Sequence, residues 1–86
     1  MKEDEVISGL EEVMGSLGVQ VRYEKGDFDG GLCKLKDKRL LIVNSAALPS
    51  QRIKILATEL SQMELENVFM VPALRQVIDD VGKEKG

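Results

Sequence analysis

Few residues in this chain can do chemistry: its 86 residues include no histidine and one cysteine. Histidine is the side chain that changes charge near neutral pH and the commonest zinc ligand, so imidazole acid–base catalysis and His-based metal centres are excluded. Cys33 has no histidine to activate it, and it alternates with Leu35 as a small, inward-facing core residue. Asp27-Phe28-Asp29-Gly30 opens like a calcium loop. It lacks the later oxygen ligands and terminal glutamate of an EF-hand and reads as a hairpin turn. Gly26 to Gly31 lacks the lysine and following helix of a phosphate loop, so Gly30-Gly31 also reads as a turn between strands. No cofactor and no metal are expected. Arg22, Lys34 and Lys36 are expected on one solvated face of a sheet, near Lys38 and Arg39, where they discourage edge pairing or meet an acidic partner or a phosphate.

The elements that position these residues follow from periodicity. Val6, Leu10, Val13, Met14 and Leu17 recur at helical spacing, which predicts a helix from Glu3 to Leu17 with Gly18 as its stop. Gly15 weakens that helix. Val19, Val21 and Tyr23 alternate with Gln20, Arg22 and Glu24 as in a half-buried strand. Leu32–Lys36 and Arg39–Asn44 follow as second and third strands. Leu40-Leu41-Ile42-Val43 is apolar on both faces, so the third should be the best covered. Short connections predict an antiparallel meander. Pro49 opens a helix with a core stripe of Ile53, Leu56, Ala57, Leu60 and Met63. Pro72 opens a last short helix facing inward through Leu74, Val77, Ile78 and Val81, and 82–86 should fray. The fold class is α+β: one domain over 1–86, ordered α-β-β-β-α-α, with a three-stranded antiparallel sheet packed on helices.

Gly31 through Gln62 resembles the core of the ImmA/IrrE-type zinc metallopeptidases. In that family a glycine precedes a strand pair, the second strand ends in Asn, and an Arg-bearing helix carries His-Glu-x-x-His. Here Gly31 precedes the pair, Asn44 ends it, and Pro49-Ser50-Gln51-Arg52 opens the helix. Ala57-Thr58-Glu59-Leu60-Ser61-Gln62 stands where the motif would be, with Thr58 and Gln62 at both ligand positions. Neither a hydroxyl nor a neutral amide is a usual zinc ligand. Glu59 alone matches the catalytic set, and without metal it has no activated water to deprotonate. The resemblance therefore implies a degenerate frame without zinc proteolysis. Ile55, Thr58 and Gln62 group opposite Leu56 and Leu60, so a groove around Glu59 is a candidate ligand or catalytic site in the alternative reading, a small enzyme or ligand-binding protein.

Composition narrows the class further. A net charge of −3, one Tyr, two Phe and no Trp count against nucleic acid, which rewards basic charge and stacking aromatics. No apolar run approaches the roughly 20 residues of a membrane span, the first residues are acidic rather than signal-like, and a lone cysteine suits a reducing, cytoplasmic setting. Phe69-Met70-Val71, in the apolar stretch Val68–Leu74, is the candidate interaction segment, for a protein partner or for a second copy in a homodimer. The competing expectation is that Phe69 folds back against Leu65 and Leu74 as core. The reading is a non-catalytic protein-interaction module.

Overall fold

Six elements appear in the expected order in the computed structural model, which describes residues 1–27 and 30–84, and of Leu35 the backbone alone. They are α1 (Glu3–Ser16), β1 (Val19–Glu24), β2 (Gly30–Leu35), β3 (Lys38–Asn44), α2 (Pro49–Ser61) and α3 (Pro72–Glu84). The class is α+β, with the helices as one layer on one sheet. α2 packs between α1 and α3, and α1 also meets β1. Leu10, Met14, Leu41, Val43, Leu56 and Leu60 are fully buried in one core, which the expected stripes of all three helices reach.

The sheet is not an antiparallel meander. Its order is β1-β3-β2, with β3 parallel to β1 and antiparallel to β2. Sequential neighbours β1 and β2 are both edges. A meander would have left at an edge the one strand that is apolar on both faces, and put the Gly30-Gly31 strand in the middle. Central placement gives Leu40–Val43 a neighbour on each side and leaves the polar-alternating strands at the edges.

Register decides what faces the helices. Val21 pairs with Leu41 and Tyr23 with Val43 on the core face, while Gln20 pairs with Leu40 and Arg22 with Ile42 on the other. A two-residue turn, Lys36-Asp37, sets Leu35 against Lys38, so Leu32 falls beside Leu41 and Cys33 beside Leu40. Cys33 therefore lies on the outer face and is exposed, which corrects the expectation of a core residue. Its inward partner in that expectation, Leu35, has a side chain outside the described residues. Leu40 is buried on the outer face without joining the core cluster.

Two further expectations are corrected. Gly30 and Gly31 open β2 instead of forming a turn. Gly30 has φ +113°, and a Cβ there would stand 2.5 Å from the Ile42 carbonyl oxygen, so only glycine fits. The turn expected around Phe28 and Asp29 lies outside the described residues. α3, expected to be short, is as long as α2 and runs from Pro72 to Glu84; Lys85 and Gly86 lie outside the described residues.

Side-chain bonds lock the end of the parallel pair. The Tyr23 hydroxyl donates to Glu11 across 2.5 Å, and the Arg52 guanidinium lies 5.1 Å from the Tyr23 ring centre. Arg52 donates through Nε to the Ala47 carbonyl and through Nη2 to Ser45, each at 2.9 Å. Asn44 donates to the Gly26 carbonyl at 2.8 Å and accepts from the Ala46 amide at 3.0 Å, fixing the exit from β3. Arg39 donates to the Leu17 carbonyl. The Arg52 and Asn44 of the peptidase resemblance thus both hold backbone carbonyls.

Candidate interaction site

The segment 65–74 is pinned at its two ends and turned outward in the middle. Leu65 is buried, its carbonyl accepts the Val68 amide at 3.1 Å and also Arg75 Nη2 at 3.2 Å. At the other end Pro72 starts α3, where its missing N–H costs nothing, and the Val71 carbonyl accepts the Leu74 amide at 3.0 Å. Leu74 is buried against α1 at Gly9: a Cβ on residue 9 would lie 2.6 Å from Leu74 Cδ1. Leu65, Val68, Met70 and Leu74 take the inward positions, and Phe69 between Val68 and Met70 is left outside. Phe69 is 96% exposed and Val71 47%, with Met70 half-buried. The expectation that Phe69 packs against Leu65 and Leu74 as core is corrected.

These residues border a groove. A concavity of about 320 Å³ is lined by Phe69, Met70, Val71 and Leu74 on one side and by Gly9, Glu12, Val13 and Ser16 of α1 on the other. A second of about 410 Å³ shares Gly9, Glu12, Val71 and Leu74 and continues along α1 past Ser8, Glu5 and Asp4 to Met1. The α1 wall was missed in the sequence. Gly9, in the middle of a sound helical pattern, is the one signal that could have shown it, since a glycine there marks a close approach.

The other candidates are placed apart. On α2, Ile55, Thr58 and Glu59 are half-buried, and Gln62 is exposed at the C-cap, beside the buried Leu56, Ala57 and Leu60. Glu59 has no ion-pair partner among the described residues and lines neither groove concavity. A larger hollow of about 750 Å³ lies past the end of α2, between residues 61–66 and α3, and mixes Glu64, Glu66 and Asp79 with Arg75 and Lys83. The expected basic face does not assemble. Arg22 shares the outer face with Ile42 and lies 3.8 Å from Glu24; Lys34 pairs with Arg39 on the opposite face; Lys36 sits in the hairpin turn at φ +54°.

The Tyr23 pKa is displaced. Partial burial, then the hydrogen bond to Glu11 and the Glu11 charge, push the Tyr23 hydroxyl well above the usual tyrosine value, against the opposing pull of Arg52. Tyr23 serves the fold, away from the groove. Among the described residues, no helix is long and apolar enough to cross a membrane. No protein family, curated protein or solved structure matches the chain.

Proposed function

We propose that this protein is a non-catalytic interaction module that engages a protein partner over the Phe69-Met70-Val71 segment. The observation that carries this reading is Phe69, 96% exposed at the mouth of a groove whose floor is apolar. Leaving one large aromatic in water forgoes roughly 1.5–3 kcal/mol of burial, which a partner recovers. Single exposed apolar residues are ordinary. Here Phe69 stands with Val71 and Met70 over one concavity, the arrangement that marks protein contacts.

The resemblance of Gly31–Gln62 to a metallopeptidase core fits this reading as a frame whose ligand positions, Thr58 and Gln62, no longer serve catalysis. A cytoplasmic setting is part of the proposal, since the one cysteine is exposed. An enzyme built on Glu59 is disfavoured, because Glu59 has no ion-pair partner among the described residues.

Phe69→Glu tests the reading. The variant should keep wild-type stability within about 0.5 kcal/mol, as exposed substitutions do. It should lose whatever the wild-type chain captures from its native host, or shift to a smaller species in light scattering. A folded variant with unchanged capture and size overturns the assignment; unfolding would show that Phe69 is core.

A further inference from the structure

We propose that the groove between α1 and residues 69–74 receives a basic amphipathic helix of a partner protein; this rests on the interaction-module reading and specifies its partner. Among the described residues, three of the five exposed large apolar ones, Met1, Phe69 and Val71, border this one groove. Val13, Met70 and Leu74 supply its floor, and Gly9 opens it.

The rim is acidic. Asp4, Glu5 and Glu12 line it, and no lysine or arginine does among the described residues. Asp4 and Glu5 have a local reason to be there, since carboxylates in a first turn favour the helix dipole. Glu12 has none. It lies past the first turn of α1, where the dipole no longer favours an anion, and has no ion-pair partner among the described residues, whereas its neighbour Glu11 accepts from Tyr23. An exposed carboxylate beside an apolar floor pairs with a partner's cation and sets its orientation.

The groove's form selects a helix. It follows α1 from Asp4 to Ser16, about 18 Å at 1.5 Å per residue, which matches a partner helix of about three turns. Its long wall is itself helical, with mid-helix backbone groups already bonded, so a segment lying along it must satisfy its own backbone. A second copy is the less suitable occupant. A two-fold contact brings Asp4, Glu5 and Glu12 against the same residues of the other copy, in a chain of net charge −3.

A displayed library of helical peptides, randomised at surface positions and selected on the full chain, tests this. The enriched peptides should be net positive, with an apolar stripe at helical spacing. Phe69→Ser and Glu12→Lys should each weaken them at least about tenfold, and Glu12→Gln should weaken them less. Added salt should loosen binding to wild type more than to Glu12→Lys. Enrichment without basic bias, or affinity indifferent to Glu12→Lys, overturns the proposed partner while Phe69-dependent binding still supports the module. A wild-type dimer that Phe69→Ser dissolves makes a second copy the occupant, with the same consequence. No enrichment above a Phe69→Ser/Val71→Ser background, with a monomeric wild type, overturns both.

Discussion

Gly9 of α1 and Leu74 of α3 touch where only a hydrogen fits, a Cβ on residue 9 falling 2.6 Å from Leu74 Cδ1 and 3.3 Å from its Cγ. Gly15, in the same helix, has nothing within 4 Å of the same position. Gly15→Ala should therefore stabilise the protein by up to about 1 kcal/mol, the ordinary helix-propensity gain. Gly9→Ala should forfeit that gain and cost up to about 1 kcal/mol, because the Leu74 methyl groups must shift toward the groove they line. Combining Gly9→Ala with Leu74→Val should cost less than the two losses added. Urea unfolding of the four variants checks the pattern, and equal gains at both glycines would mean the two helices part freely.

The partial burial of Tyr23, together with its hydrogen bond to Glu11, gives stability an alkaline dependence. Its folded pKa is raised, so the stabilisation is fully present below the unfolded tyrosine value of about 10 and is lost as pH rises from there. Tyr23→Phe should cost about 1 kcal/mol near neutrality, and that difference should shrink above about pH 10. The chain holds one tyrosine, so ultraviolet titration reports Tyr23 alone. A midpoint at or below the free-tyrosine value would contradict the packing drawn around it.

Neighbouring positions on α2 should respond very differently. Leu56 is fully buried, and Leu56→Ala should cost about 2–5 kcal/mol. Thr58 is half-buried, and Thr58→Ala should stay within about 1 kcal/mol. A loss under about 1 kcal/mol at Leu56 would put that helix face at the surface.

The start of β2 offers the sharpest test of the sheet order. Gly30→Ala forces a side chain into positive φ and against the Ile42 carbonyl, and should cost at least about 2 kcal/mol. Gly31→Ala meets nothing within 4 Å and should be close to neutral. Equal responses in thermal unfolding would argue that β2 does not lie along β3.

How much of this was legible in the sequence depends on how far apart the deciding residues lie. Val6, Leu10, Val13 and Met14 repeat within one helix, and Val19, Val21 and Tyr23 within one strand, so the stripe of α1 and the extent of β1 could be read directly. In Leu32-Cys33-Lys34-Leu35 either alternate set could have faced the core. The choice rested on the hairpin register that sets Leu35 against Lys38, and a shift of one residue exchanges the two faces.

From residue types and local spacing alone came the α+β class, the order of six elements, the core stripes of the helices and the absence of any histidine for acid–base or metal chemistry. These need nothing beyond the 3.6- and 2-residue periods and a count of side chains. Tertiary structure alone decided that β3 takes the centre, that Arg22 and Lys34 stand on opposite faces, that Phe69 turns to water, and that α1 walls a groove beside it. Each depends on segments far apart in the chain competing for the same buried space. Leu41 and Val43 fill it from the sheet, and Leu65 and Leu74 fill it on either side of Phe69, which leaves the aromatic ring outside.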